Sequence, residues 1–221
     1  MARHIIFDFD GTLADSEELC FELLNEIGGR HRYRQLERGE LSALKMMSYP
    51  ERLRHLGVPL AHVPFLAMEA RRQYRMRVHT LRPFEGVRDA LMRLREMGFQ
   101  LHVLSSNAVT TIRQFLSAHD MDLFQSVTCE KNFFGKHIGL RRFVRSNKLE
   151  LSDVVYLADE VRDVDACRKI DLPIISVGWG FDPTAILRKA NPGLTVDTPF
   201  EAVQMLEALA FPDRTYSSVL N

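Results

Sequence analysis

Short runs of apolar residues recur along the chain, and between them apolar residues are spaced three or four positions apart. Runs this short are typical of buried strands, whereas the wider spacing is typical of amphipathic helices. Strands are predicted at residues 5–9, 101–104, 154–157 and 174–177, with weaker ones at 126–129 and 194–196. Because strands alternate with helices over most of the chain, we predict an α/β fold with a parallel sheet.

The helices between these strands are predicted from stripes of apolar residues. One stripe, over residues 87–94, is followed by Gly98, a residue type that suits a helix C-cap. A second, over residues 109–116, has Asn107 near its N-terminus, where a side-chain cap is expected. A third helix is predicted to begin after Asp163.

Residues 16–82 break this alternation, because they contain no convincing strand. Helical patterns occur there instead, at residues 19–27, 41–47, 51–56 and 63–78. We therefore predict an all-helical insert over residues 16–82, within a core formed by residues 1–15 and 83–221.

Charge is balanced over the whole chain but not within the insert. The chain has 29 Lys and Arg against 29 Asp and Glu, whereas residues 30–82 have twelve Lys and Arg against four Glu, a balance of +8. Such a surface is usually only solvated; the alternative is that it steers an anionic substrate. The candidate steering residues are Arg38, Lys45, Arg71, Arg72 and Arg75.

Composition places the chain among ordinary globular proteins, with 46% hydrophobic and 26% charged residues. The overall neutrality argues against a nucleic-acid partner, and no apolar run approaches the ~20 residues of a membrane span. The first strand follows the N-terminus directly, so no signal peptide is expected. The three cysteines are widely spaced, which favours reduced thiols and a cytoplasmic location.

The candidate chemistry begins where the first predicted strand ends, at Asp8, Asp10, Gly11 and Thr12. On an extended chain the side chains of residues i and i+2 point to the same side, so the two carboxylates can face one spot. Two such carboxylates repel each other unless a cation or a shared proton intervenes. Glycine allows a ligand to approach the backbone closely, and the Thr12 hydroxyl can hold a carboxylate. The segment therefore predicts a site for a divalent metal and an anion.

Polar residues also follow the other predicted strands, whose ends meet at the same edge of a parallel sheet. They are Ser105, Ser106 and Asn107 after the second strand, Lys136 after the weaker strand at 126–129, and Asp159, Glu160 and Asp163 after the strand at 154–157. Hydroxyls and backbone amides at a helix N-terminus form an anion site, and carboxylate oxygens are ligands that Mg²⁺ prefers. These segments together predict a Mg²⁺ and phosphate site.

In this order the four segments resemble the motifs of the haloacid dehalogenase superfamily. The detailed pattern is similar to its phosphoglycolate-phosphatase-like branch: DFDGTLADS from Asp8, SSN from Ser105, FGK from Phe134, ADEVRD from Ala158 and GWGF from Gly178. The resemblance implies a Rossmann-like core with a helical cap inserted after the first motif, and the insert at 16–82 fits that place.

The resemblance also implies a role for each residue. Asp8 would be the nucleophile that forms an aspartyl-phosphate, and Asp10 the general acid and base. Mg²⁺ would be held by Asp8, the backbone carbonyl of Asp10 and Asp159, with Asp163 acting on these ligands or through water. The phosphoryl group would be bound by Gly11, Thr12, Ser105, Ser106, Asn107 and Lys136. The second aspartate, Asp10, favours phosphate chemistry over dehalogenation, because a departing halide needs no acid.

The implied activity is hydrolysis of a small phosphorylated metabolite, with phosphoglycolate as the default substrate. A 5′-nucleotidase, a sugar-phosphate phosphatase and a non-catalytic phosphate-binding module are alternatives, and the chain is expected to be a monomer or a homodimer. Ala158 departs from the family's Gly at that position, and it would strain the backbone if φ there were positive. The turn at Trp179 is interpreted as packing rather than catalysis.

Overall fold

The computed structural model describes residues 3–130 and 135–210. The chain divides into two compact units: a core unit, Met1–Asp15 with Arg82–Asn221, and an insert unit, Ser16–Leu81. Phe134, the first residue of the FGK segment, lies outside the described residues.

Strands and helices alternate through most of the core unit, whereas the insert unit contributes helices α1 to α4. In chain order the elements are β1 (His4–Phe7), β2 (Ala14–Asp15), α1 (Glu17–Arg30), α2 (Leu41–Lys45), α3 (Tyr49–His55), α4 (Val63–Arg77), β3 (Arg82–Pro83), α5 (Val87–Glu96), β4 (Gln100–Ser105), α6 (Val109–Ala118), β5 (Ser126–Cys129), α7 (Lys136–Ser146), β6 (Val154–Ala158), α8 (Val161–Arg168), β7 (Ile174–Val177), α9 (Thr184–Ala190), β8 (Thr195–Val196) and α10 (Pro199–Ala210).

Six strands form one sheet in the order β5-β4-β1-β6-β7-β8, and β2 pairs with β3 separately. All pairings within the six-stranded sheet are parallel, and Phe7 lies opposite both Val103 of β4 and Leu157 of β6. The strand order therefore reverses on either side of β1, and the loops after β1, β4 and β6 leave the same edge. Ligands bind at such a reversal in open α/β sheets. The predicted parallel α/β fold is confirmed.

Helices cover the sheet because its strands are apolar on both faces. Ile5 and Ile6, neighbours that point to opposite faces, are both fully buried. Ile6 packs with Tyr156 and Phe143 in one cluster of the core. α5 buries the predicted stripe at 87–94, and Gly98 follows its end with a φ of +90°, a conformation that glycine adopts without strain.

One predicted helix cap and one predicted helix start are wrong. Asn107 does not cap α6, because the helix begins at Val109 after an extended Ala108. The helix expected after Asp163 begins earlier, at Val161, so Asp163 lies in its first turn. Both differences change what these side chains can reach in the site.

The regular elements of the insert unit, residues 16–81, are all helical; the structure describes every one of these residues and assigns none to a strand. Its own small core is built around Leu36, Leu44 and Leu56. Arg77 of α4 donates two hydrogen bonds of 2.7 Å to the carboxylate of Glu26 on α1. The insert unit therefore has packing and ion pairs of its own.

Candidate active site

Asp8 directly follows β1, and the residues after it form a tight turn. The Asp8 amide still donates to the carbonyl of Leu157 on β6 (2.9 Å), which extends the sheet pairing by one residue. The amides of Leu13 and Ala14 both donate to the Phe9 carbonyl, which closes the turn. The Asp8 carboxylate is buried, and its Oδ1 accepts from the Phe9 amide at 2.8 Å. The backbone itself therefore orients the first carboxylate.

Lys136, the first residue of α7, brings a cation to this carboxylate. Its Nζ donates to Asp8 Oδ2 at 2.5 Å and pairs with Asp163, while the ring of Tyr156 lies 5.3 Å from it. The Lys136 side chain is 21% exposed. Burial of the ammonium opposes its charge, but the carboxylates of Asp163 and Asp8 outweigh this effect and raise the pKa of Lys136. Lys136 is therefore charged at neutral pH.

Asp159, the residue after β6, is fully enclosed, with 0% exposure. Its Oδ1 accepts from the Thr12 hydroxyl at 2.8 Å, and its Oδ2 accepts from the Phe181 amide at 2.8 Å. Burial, followed by the charges of Glu160 and Asp8, raises the pKa of Asp159 well above its ordinary value. A cation beside the carboxylate would offset this cost of burying the charge.

Gly11 is required where the first turn meets Asp159. Its φ is +72°, and a Cβ there would lie 2.1 Å from Asp159 Oδ2. Any larger residue would displace the carboxylate. The sequence predicts that Gly11 lets a ligand approach the backbone; in the structure the group that approaches it is the Asp159 carboxylate.

The carboxylates of Asp8, Asp159 and Asp163 converge, and each offers an oxygen within 4.8 Å of the others. Burial is the largest influence that raises the pKa of Asp163, to about 6, and the nearby Lys136 opposes that rise. Among the described residues, neither Asp163 oxygen has a hydrogen-bond partner, although Lys136 lies within ion-pair distance. Three buried carboxylates, of which Asp163 has no hydrogen-bond donor to either oxygen in the described part of the chain, fit a divalent cation that takes oxygen ligands.

The three polar residues at the end of β4, Ser105 to Asn107, lie in different environments. Ser105 is buried, and its hydroxyl accepts from the Asn107 amide at 3.1 Å. Asn107 Nδ2 donates to Asp10 Oδ2 at 2.7 Å, so it lies against a carboxylate rather than at a helix cap. Ser106 is exposed. The Asp10 carboxylate is not part of the cluster formed by Asp8, Asp159 and Asp163.

Several residues support the site although the sequence gives them no role there. Tyr156 is apolar in pattern, yet its ring faces the Lys136 ammonium. Arg162 donates to Glu160 (Nε to Oε2, 2.7 Å), and this pair lies beside the carboxylate cluster. The turn at Trp179 supplies the Phe181 amide to Asp159. Ala158 lies within β6 and is not among the residues with positive φ, so the strain considered for it does not arise.

This fold and this set of carboxylates define a class of protein: the chain belongs to the haloacid dehalogenase-like hydrolase family, whose model matches residues 5–177. Within that family it resembles the phosphoglycolate phosphatase of Synechococcus elongatus. The two are 31% identical over 206 residues, which is 93% of this chain and 97% of that protein. The resemblance drawn from the motifs is thereby confirmed.

Solved structures share the fold. A predicted phosphatase from Clostridium acetobutylicum superimposes with a TM-score of 0.80 at 20% identity, covering 93% of this chain and 98% of that one. A haloacid dehalogenase-like family hydrolase from Streptococcus pneumoniae gives 0.78 at 15% identity, with coverage of 93% and 98%. In the described residues, none of the helices is long and apolar enough to cross a membrane.

Proposed function

We propose that this chain is a Mg²⁺-dependent phosphatase that hydrolyses a small phosphomonoester through an aspartyl-phosphate on Asp8. The observation that carries the proposal is the setting of the Asp8 carboxylate. Lys136 contacts it at 2.5 Å, and two further buried carboxylates, Asp159 and Asp163, converge on it. Such a setting supports a nucleophile beside a phosphate-binding cation and a set of metal ligands.

In the first half-reaction an Asp8 oxygen attacks phosphorus, and the bond from phosphorus to the substrate's ester oxygen breaks. Asp10 donates a proton to the departing alcohol. The Asn107 amide, 2.7 Å from Asp10 Oδ2, supports this role because it holds the carboxyl group in one orientation.

In the second half-reaction water attacks phosphorus and the bond to Asp8 breaks. Asp10 accepts the proton of the attacking water. Inorganic phosphate leaves, and both aspartates return to their starting protonation states, so the cycle balances.

The remaining residues position and neutralise charge. Lys136, the Ser105 hydroxyl and the backbone amides that follow Ser105 would bind phosphoryl oxygens, together with Gly11, Thr12 and Ser106. The proposed Mg²⁺ ligands are the carboxylates of Asp8 and Asp159 and the backbone carbonyl of Asp10, with Asp163 acting through water. When bound, Mg²⁺ would neutralise charge that develops on the phosphoryl group.

The proposed substrate is a small phosphorylated carboxylic acid, with phosphoglycolate first. The support is the 31% identity to a phosphoglycolate phosphatase along almost the whole length of both chains. The positive balance of residues 30–82 is consistent with an anionic substrate.

Phosphate release from a panel of compounds tests this proposal. The panel contains phosphoglycolate, a sugar phosphate, a nucleoside monophosphate and an aryl phosphate, each with Mg²⁺ and with EDTA. We expect phosphate release in Mg²⁺ but not in EDTA, fastest from phosphoglycolate. The rate should fall by at least about 10³-fold in Asp8→Asn. The matched control is Asp171→Asn, an exposed aspartate with φ of +55°, a conformation that Asn tolerates.

The outcomes separate the parts of the proposal. Release that persists in EDTA would contradict the metal requirement. Faster release from a nucleotide or a sugar phosphate would show that this compound, rather than phosphoglycolate, is the preferred substrate. No release from any compound by the folded protein would favour a non-catalytic phosphate-binding module.

A further inference from the structure

The turn at residues 178–182, between β7 and α9, is fixed to the core at both ends. The Gly178 amide donates to the carbonyl of Val196 on β8 at 2.8 Å, and the Thr184 hydroxyl donates to the Gly178 carbonyl at 3.0 Å. At the other end, Asp182 Oδ2 accepts from the amide of Val161, the first residue of α8, at 2.8 Å. The turn is therefore held in one conformation.

The backbone of this turn lies directly against Asp159. The Phe181 amide donates to Asp159 Oδ2 at 2.8 Å. A Cβ on Gly180 would lie 2.3 Å from the Cβ of Asp159, 2.3 Å from the carbonyl oxygen of Gly11 and 2.5 Å from Asp159 Oδ2. The φ of Gly180 is not in the left-handed region, so space rather than backbone conformation requires glycine there.

Trp179 connects the same turn to the other side of Asp159. Its indole Nε1 donates to the Thr12 carbonyl at 3.1 Å, and the Thr12 hydroxyl donates to Asp159 Oδ1 at 2.8 Å. The contacts form a closed ring that runs from Asp159 through Thr12, Trp179, Gly180 and Phe181 back to Asp159. Each carboxylate oxygen of Asp159 is thus held by one donor of this ring.

We propose that the 178–182 turn is a positioning element that sets the orientation of the Asp159 carboxylate for metal binding. The inference rests on the metal site of the proposed function and goes beyond it, because it assigns a role to a segment that the sequence suggests is packing. Packing alone would place side chains against the core. Here the Phe181 amide donates to the Asp159 carboxylate itself, and Gly180, which has no Cβ, lies directly against it.

Metal affinity is the property that this role should change. Partners that orient a metal ligand typically contribute 10- to 100-fold to metal affinity, because they fix the ligand before the ion arrives. An alanine at position 180 must push against the Gly11 backbone and Asp159, so it should rotate the carboxylate or open the turn.

The experiment compares wild type with Gly180→Ala by calorimetric titration with Mg²⁺ alone, and by thermal unfolding in EDTA and in Mg²⁺. We expect Mg²⁺ to bind the variant about 10- to 100-fold more weakly, and the Mg²⁺-induced rise in Tm to shrink accordingly. The matched control is Gly39→Ala, where a Cβ meets nothing within 4 Å. It should bind Mg²⁺ like wild type.

A second variant keeps the test decisive if Gly180→Ala does not fold. Trp179→Phe retains an aromatic ring but removes the indole donor to Thr12, and we expect a smaller but measurable loss of Mg²⁺ affinity. Wild-type Mg²⁺ affinity in the folded Gly180→Ala variant, or in Trp179→Phe if the first does not fold, would overturn the positioning role alone. Absence of Mg²⁺ binding to wild type would overturn both the proposed metal site and this inference.

Discussion

At the scale of single residues, Asn107 shows how a side chain's partner decides its role. The resemblance to the family implies that Asn107 binds phosphate, and the local pattern suggests a helix cap. In the structure the side-chain amide of Asn107 donates to Asp10 Oδ2 at 2.7 Å. Its backbone N–H donates to the Ser105 hydroxyl. The contact with Asp10 places Asn107 in a position to orient the proposed general acid.

Replacing Asn107 by Ala separates orientation of Asp10 from phosphate binding. If the amide orients Asp10, kcat for an alkyl phosphate should fall by about 10-fold or more, because a poor leaving group needs the proton. An aryl phosphate with a good leaving group should lose much less, and KM should change little for either substrate.

Steady-state kinetics with both substrates measure this difference. The control is Ser117→Ala, because Ser117 is an exposed residue of α6 with no proposed role in the site. A rise in KM of equal size for both substrates, with kcat unchanged, would assign Asn107 to phosphate binding instead.

Residue type and order predict the charged part of the site but not its supports. Asp8, Lys136 and Asp159 could be selected because carboxylates and a lysine follow successive strands of a parallel sheet. The supporting contacts could not, because Tyr156 lies 20 residues from Lys136 and Phe181 lies 22 residues from Asp159 along the chain. No local pattern encodes such pairs.

At the scale of elements, periodicity predicts the strands and the starts of α5 and α6, but not the start of α8. The strands pair as expected because they are continuous apolar runs, covered on both faces. The predicted start of α8 is wrong because the helix is capped from a distance: the amide of its first residue, Val161, donates to Asp182, which lies 21 residues downstream. A cap supplied from a distant loop leaves no signal near the helix it caps.

Strand β4 buries a histidine that should make stability depend on pH. His102 is 2% exposed; its Nε2 lies 3.1 Å from Nδ1 of His4 on β1, and its Nδ1 lies 2.8 Å from the Ser126 hydroxyl on β5. Burial, and then the charge of His4, lowers the pKa of His102 from 6.5 to about 4.

The unfolded chain therefore binds more protons than the folded chain between pH 6.5 and about 4. In that window the free energy of unfolding should fall as pH is lowered, with His102 accounting for up to roughly 3 kcal/mol. His102→Gln should remove this part of the pH dependence, as measured by urea unfolding at several pH values. His79→Gln, at an exposed position, should not. An identical pH dependence in wild type and His102→Gln would contradict the prediction.

At the scale of the whole molecule, the positive charge of the insert unit is unevenly compensated. Arg38 pairs with Glu18 and Lys45 pairs with Glu17. Among the described residues, no carboxylate lies within ion-pair distance of Arg71, Arg72 or Arg75 on α4. Of the five candidate steering residues, we therefore expect these three arginines to contribute most.

Substitution of Arg72 or Arg75 by Ala tests whether this charge serves substrate binding. We expect KM for phosphoglycolate to rise by about threefold to tenfold at low ionic strength and less in high salt, because exposed charges are screened. An aryl phosphate, which lacks the carboxylate, should be affected less. Arg38→Ala is the control, since the Arg38 charge is already paired with Glu18. Equal effects on both substrates would contradict substrate steering.

The central claim is that Asp8 carries the phosphoryl group during turnover. The most direct measurement is a rapid acid quench during turnover of the preferred substrate, followed by peptide mass spectrometry. The account predicts a phosphorylated peptide with the modification on Asp8, formed by wild type and by Asp171→Asn but absent from Asp8→Asn. Phosphate release by Asp8→Asn at the wild-type rate, or a phosphoryl group on another residue, would contradict it.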